Sequence, residues 1–265
     1  MELSTSQINQ TDANGRTCLS WASARDDHAS LNTLLSYGAD PRISDLEGKS
    51  PLVHAVKVGS HHCVASLVHS GLDLSARSAF GGTVLHTAAA APDNPETLKL
   101  LIDDGRVNIN TIDFDGDTAL HAAAREDRVE NARVLLNAGT DPNIANVAGE
   151  TAIFHAIHWY AHKTLRLLVS WGVDSDVRSS DGRTILHALA CHVDETMLGA
   201  MRGIHFKHVD SRTADNNGIT CLDYLQFTPD SAAKYSVAFK DFLAHVSPNT
   251  ITEDDVFEDA LEHLF

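Results

Sequence analysis

The sequence predicts an all-α fold, an α-solenoid of stacked helix-turn-helix units, and three observations carry that expectation. The pattern Gly-x-[Thr/Ser]-x-[Leu/Ile] occurs seven times, at Gly15/Thr17/Leu19, Gly48/Ser50/Leu52, Gly81/Thr83/Leu85, Gly116/Thr118/Leu120, Gly149/Thr151/Ile153, Gly182/Thr184/Leu186 and Gly218/Thr220/Leu222. The hydroxyl positions 17, 50, 83, 118, 151, 184 and 220 are separated by steps of 33, 33, 35, 33, 33 and 36 residues. The first five copies are followed by a second apolar run and a closing glycine: Leu34-Leu35 before Gly38, Leu67-Val68 before Gly71, Leu100-Leu101 before Gly105, Leu135-Leu136 before Gly139, and Leu167-Leu168-Val169 before Gly172. A unit of this size cannot bury its apolar face alone, so a regular period means an array in which each unit covers the next.

Each element has a local cause. The motif glycine permits a tight turn with positive φ, and the Thr or Ser two residues later caps the helix that follows. Pro51 falls at the first helical position, where its missing N–H costs nothing. The second helix ends at the glycine after the Leu-Leu pair. The unit is therefore turn, short helix, loop, second helix, turn, with copies near 12–44, 45–77, 78–112, 113–145, 146–178, 179–214 and 215–246, read as one continuous domain over 1–246. In the third copy, Pro92-Asp93-Asn94-Pro95 stops the first helix after Ala91 and starts the second near Glu96, so its two extra residues lengthen a loop. In the sixth, the stretch Met197 to Arg212 fits poorly and predicts an altered second helix before a longer hairpin. The seventh closes with a helix over roughly 231–246. Residues 247–265 hold a further acidic amphipathic helix, with Val256, Phe257, Ala260, Leu261, Leu264 and Phe265 on one face. That helix either caps the last repeat or offers an acidic peptide to a partner's groove.

The run Thr118-Ala119-Leu120-His121-Ala122-Ala123 resembles the ankyrin-repeat signature Thr-Pro-Leu-His-x-Ala, whose period is 33. The resemblance extends over residues 12 to 246, through Ser50-Pro51-Leu52, Thr83-Val84-Leu85-His86 and Thr184-Ile185-Leu186-His187. The first copy, Thr17-Cys18-Leu19-Ser20-Trp21-Ala22, and the seventh, Thr220-Cys221-Leu222-Asp223-Tyr224-Leu225, depart from it, as terminal units with one face toward water do. The resemblance implies that His86, His121 and His187 tie turn to helix start. It also implies a binding surface built from hairpin tips and first-helix ends. Mapped onto this chain, those positions hold Phe80 and Phe114 at tips, and Arg125, His158, Trp159 and His192 at helix ends. Aromatics and Arg at positions the core does not need are the residue types that dominate binding energy. The alternative use of the two phenylalanines is packing on neighbouring hairpins.

Composition narrows the function classes. With 20 Lys+Arg against 36 Asp+Glu, the formal charge of −16 disfavours a general nucleic-acid or anionic-membrane binder. Arg16, Arg25, Lys49 and Lys57 concentrate positive charge in the first two copies, as a local patch or as scattered solvated charge. Cys18, Cys63, Cys191 and Cys221 lack close pairing, so no disulfide framework or zinc module is expected; they read as small buried residues in a reducing cytoplasmic or nuclear compartment. No membrane span or signal peptide is read. His61-His62 points its rings about 100° apart on a helix, a poor start for a metal site. There is no phosphate-binding Gly-rich loop, no Gly-x-Ser-x-Gly and no His-Glu-x-x-His. Together with these absences, the resemblance implies a non-enzymatic, monomeric, cofactor-free module whose concave groove binds a partner protein or peptide. Two alternatives stay open. One is a small-molecule site or unusual enzyme built on His158 and His192 around repeats 4–6; the other is a regulatory segment of a larger protein.

Overall fold

The computed structural model describes residues 5–92, 94–201, 206, 209–227 and 231–246. After a single turn, α1 (Thr5–Ile8), helices come in pairs: α2 (Cys18–Ala24) with α3 (His28–Ser36), α4 (Pro51–Lys57) with α5 (His61–His69), α6 (Val84–Ala90) with α7 (Pro95–Asp103), and α8 (Ala119–Arg125) with α9 (Val129–Asn137). The pairs continue with α10 (Ala152–His158) and α11 (His162–Trp171), α12 (Ile185–Cys191) and α13 (Glu195–Met201), and α14 (Cys221–Phe227) and α15 (Ser231–Val246). Contacts group the chain into two compact units, Met1–Asn146 and Val147–Phe265, and the division falls where the fourth repeat gives way to the fifth.

Within the first unit, α2, α4, α6 and α8 stack in sequence order as one layer, and α3, α5, α7 and α9 as a second. In the second unit α10, α12 and α14 form one layer and α11, α13 and α15 the other. Each first helix, from α2 to α14, has seven residues, two turns, far below the length at which a helix is stable alone, so burial between layers supports it. The repeat leucines carry it: Leu52, Leu85, Leu120 and Leu186 are 0–3% exposed, as are Leu67, Leu101, Leu135 and Leu168 of the second helices. Each contributes about 1.5–3 kcal/mol. No extended strand occurs among the described residues; the hairpins are closed by isolated pairs such as Ile112 with Thr118.

The signature histidines do what the motif implies and one thing more. His86 Nδ1 accepts from the Thr83 N–H at 3.1 Å, and its Nε2–H donates to the Asp117 carbonyl of the next hairpin at 3.0 Å. His187 repeats the arrangement, accepting from the Thr184 N–H at 3.0 Å and donating to the Ile219 carbonyl at 3.0 Å. In the seventh repeat Asp223 replaces the histidine, and its Oδ2 accepts from both the N–H (2.8 Å) and the hydroxyl (2.7 Å) of Thr220. In the fifth repeat Phe154 stands at that position, 1% exposed, and exchanges the polar tie for core packing.

The turn between the paired helices shows how the units differ. It places one residue in the left-handed region: Asp26 (φ 56), Gly59 (φ 71), Asp127 (φ 51) and Tyr160 (φ 54). That kink lets a later N–H return to the helix end, as Arg128 N–H does to Ala123 O at 2.9 Å and Ala161 N–H to Ala156 O at 2.8 Å. In the third repeat no described residue of this turn is left-handed, and Ala91 at the end of α6 is extended, with φ −60 and ψ 159. There Asn131 of α9, 0% exposed, supplies the donor: its Nδ2 lies 3.2 Å from each of the Ala88, Ala89 and Ala91 carbonyls.

Two sequence expectations need comment. Cys18 is exposed and Cys191 half-buried, whereas Cys63 and Cys221 are buried as expected. The equivalent positions Pro51, Val84, Ala119, Ala152, Ile185 and Cys221 are all buried, and the first repeat has no preceding repeat to cover its own. The altered second helix of the sixth repeat is α13, with seven residues where α3, α5, α7 and α9 have nine. The acidic segment 247–265 lies outside the described residues.

Candidate interaction surface

The hairpin tips of neighbouring repeats are joined through backbone. Leu46 N–H donates to Asn14 O at 3.0 Å, Phe114 N–H to Phe80 O at 3.1 Å, and Ser180 N–H to Ala148 O at 2.7 Å. Because the main chain makes these ties, the tip side chains are left over. Phe80 is 79% exposed and Phe114 69%, with Leu46 at 81% and Val147 at 76% in positions equivalent to Phe114. The two phenylalanines therefore lie on adjacent hairpins of the first unit. Phe114 also sits over Gly81, where an added Cβ would come within 2.5 Å of its ring, so packing on a neighbouring hairpin and exposure are both realised. Arg125 ends α8 in the same unit; its Nε lies 3.5 Å from the Glu126 carboxylate, and its side chain is 41% exposed.

In the second unit the helix-end residues separate. Trp159, the C-cap of α10, is 62% exposed. His158, one residue earlier, turns inward: its ring lies 5.1 Å from His192, the C-cap of α12, and packs edge-on against Phe154 at 6.3 Å. Tyr160 completes the cluster, with its ring 5.5 Å from His192 and edge-on to it, and its hydroxyl 3.4 Å from His192 Nδ1. Glu150 approaches His158 Nδ1 to 3.6 Å, too far for a hydrogen bond. The carboxylate favours an imidazolium, but burial wins: with His192, His155 and Arg183 adding to it, burial lowers the His158 pKa to about 4. Burial also holds His192 below the ordinary histidine value. Both rings are neutral near pH 7.

The signs give a stability prediction. A histidine with a depressed folded pKa binds fewer protons than the unfolded chain, so its contribution is complete above the unfolded value, near 6.5, and is lost as pH falls toward the folded value. Burial depresses His86 and His187 in the same direction. The melting temperature is expected to decline between pH 6.5 and 4, and His158→Gln to remove up to one proton from that slope. Melts at half-unit pH steps check this; superimposable profiles for the two proteins would contradict the burial argument.

No group of three or more side chains that could hold a metal converges among the described residues. His61 and His62 sit with ring centroids 5.8 Å apart and nearly perpendicular, and His62 lies 5.5 Å from His28. No helix among the described residues is long and apolar enough to cross a membrane.

A family model described as ankyrin repeats matches residues 2–78 and 70–146, more than half of the chain. The chain belongs to the ankyrin-repeat family. Curated relatives include the nuclear factor NF-kappa-B p105 subunit of Gallus gallus, 32% identical over 143 residues, which are 52% of this chain and 14% of that protein. The ankyrin repeat domain-containing protein SAT10 of Stachybotrys chartarum is 28% identical over 180 residues, 68% of this chain and 9% of its own length. Human neurogenic locus notch homolog protein 1 is 33% identical over 149 residues, 56% of this chain and 6% of that protein. The chain thus spans only a small part of the relatives it matches. Among solved structures, the ankyrin repeat domain of Bcl-3 superposes with a TM-score of 0.62 at 25% identity, covering 74% of this chain and 86% of that one. The ankyrin repeat domain of human ASB11 gives 0.70 at 18% identity, covering 86% and 98%. Ankyrin repeats generally serve as protein–protein interaction modules.

Proposed function

We propose that this ankyrin-repeat chain is a non-enzymatic binding module that holds a partner protein or peptide on its hairpin tips and first-helix ends. One observation carries the reading. Phe80, Phe114 and Trp159, at positions the repeat does not use for its core, expose 79%, 69% and 62% of their surface. Large rings that lose water on contact are the side chains most able to anchor an interface. Arg125 supplies a cation in the first unit, and His158 and His192 supply neutral imidazoles in the second. Its four free cysteines suit a reducing cytoplasmic or nuclear site of action.

The test places a photo-crosslinking phenylalanine analogue at 80, 114 or 159 and, as controls, at Arg133 and Arg166 on the second helices. Partner adducts are expected at the first three and not at the controls. A Phe114→Ala, Arg125→Ala, Trp159→Ala triple variant is expected to lose capture by tenfold or more, on the order of 1.4 kcal/mol or above, with its melting temperature nearly unchanged. Adducts confined to the controls, or capture that survives the triple variant, would sink the reading.

A further inference from the structure

The two ends of the array are uncovered in opposite ways. Cys18, which opens the first helix of the first repeat, is exposed, yet the neighbouring Leu19 is 1% exposed. Cys221, at the same position of the seventh repeat, is buried, yet the neighbouring Leu222 is only half-buried. In the first six copies this motif leucine or isoleucine is 0–3% exposed. Leu19 is covered although no repeat precedes it in the sequence, so the position is closed by its own repeat and the one that follows. The next two residues agree. Asp223 and Tyr224 are half-buried, whereas their equivalents His187 and Ala188 on α12, against which α14 packs, are buried. His187 also donates to the next hairpin, while Asp223, an acceptor only, has nothing to donate to a further one. Among the described residues, the forward face of α14 is thus open.

The chain that leaves α15 supplies an occupant. Residues 247–265 contain no glycine, and so no further copy of the motif. Val256, Phe257, Ala260, Leu261, Leu264 and Phe265 recur at the spacing of one helix face, with Asp255, Asp259 and Glu262 opposite. Only Ser247-Pro248-Asn249-Thr250-Ile251 joins this pattern to α15, a reach of at most about 18 Å, less than two helix diameters. A tether this short holds the segment at an effective concentration of about 1 mM. A second copy of the chain or a free partner, present at far lower concentration, competes with it at a disadvantage. Charge does not draw the segment in, since the end repeat carries Asp223 and Asp241 itself. The apolar face is what the open end can cover.

We propose that residues 252–265 fold back as an amphipathic helix over the open end of the seventh repeat, laying Phe257, Leu261 and Leu264 on Leu222 and the forward face of α14. The segment then does for the seventh repeat what each repeat does for the one before it, and the acidic side faces water. This end of the array is closed by the chain itself and is not offered to a partner. The inference concerns a different surface from the hairpin tips and does not rest on the binding reading above.

The experiment uses the full chain with a photo-crosslinking phenylalanine analogue at Phe257 or Leu261, irradiated over a wide range of protein concentration. Adducts are expected on Leu222 or its neighbours in α14 of the same molecule, in a yield that does not change with concentration. Adducts between two molecules that grow with concentration would make a second copy the occupant. Adducts on the helices of the first unit, or none within the chain, would place the segment elsewhere; each of these results overturns the proposal. Hydrogen exchange gives a second readout. In Phe257→Asp/Leu261→Asp the α14 amides are expected to exchange about tenfold faster, as loss of one buried apolar contact implies. Asp255→Ala/Glu262→Ala, on the opposite side, should leave them unchanged, and α12 should stay protected in both variants. Equal exchange of α14 in the two variants would show that the apolar face covers nothing there.

Discussion

Replacing Asn131 with leucine is expected to destabilise the first unit by about 3 kcal/mol, although the two side chains are similar in size and the site is fully buried. Asn131 Nδ2 lies 3.2 Å from the carbonyls of Ala88, Ala89 and Ala91, and Oδ1 accepts from the Asn94 N–H at 3.2 Å. Those carbonyls close α6, whose following turn has no left-handed residue among the described ones. Leucine offers no donor, and each buried polar group left without a partner costs about 1–3 kcal/mol. For a unit of this size the loss corresponds to roughly 6–12 °C in melting temperature. Asn137→Leu, on an exposed position of the same helix, should change stability by about 0.5 kcal/mol or less. Hydrogen exchange adds a local readout, with α6 and the start of α7 losing protection first in Asn131→Leu. Equal effects of the two substitutions would show that the amide is not the helix's partner.

What the sequence made legible follows from the same contrast. The period places every motif glycine, cap and leucine, because these answer to local geometry that recurs in each copy. Thr118 and His121 could be paired on paper, since three residues separate them and one turn joins them. Of the two extra residues of the third copy, one lies between α6 and α7, where Pro92 to Pro95 announced it, and the other follows α7. The consequence of the first was not announced, because the compensating residue lies about forty positions later in another repeat. Tyr160 is similar: nothing in its identity announces a left-handed backbone, which bulky residues adopt only under constraint.

The proposed binding surface divides along the same line. Exposure of Phe80, Phe114 and Trp159 could be read from register alone, as positions the core leaves over. The inward turn of His158 could not, since the Trp159 beside it faces water. Its contact with His192 depends on how α10 and α12 pack and on where the Tyr160 kink sends the chain. The cation–π contacts of Arg16 and Arg25 with Trp21 had a visible part, the concentration of cations. They also had a hidden one, the shared indole, since positions 16, 21 and 25 meet only once the turn before α2 has folded.

Gly149→Ala is the second substitution expected to cost about 3 kcal/mol, and Gly139→Ala shows why. Both glycines have positive φ, +74 and +89, so alanine at either pays about 1 kcal/mol for the left-handed backbone. Around Gly139 there is open space, with nothing within 4 Å of an added Cβ, and the cost stops there. At Gly149 an added Cβ would come within 2.7 Å of the Ser180 backbone nitrogen and 3.0 Å of the Ser179 carbonyl carbon. Backbone cannot rotate away as a side chain can, so the neighbouring hairpin must move, adding about 2 kcal/mol of overpacking. The movement should also break the 2.7 Å bond from Ser180 N–H to Ala148 O, which joins the two hairpins. Faster exchange of the Ser180 amide in Gly149→Ala, with no change there in Gly139→Ala, is the expected signature. Asparagine sharpens the test, because it tolerates the left-handed region but still carries a Cβ. Gly139→Asn should be close to neutral and Gly149→Asn nearly as damaging as alanine. If asparagine rescued both sites equally, the motif glycine would serve the turn alone, and the close approach of successive hairpins would have no part in its selection.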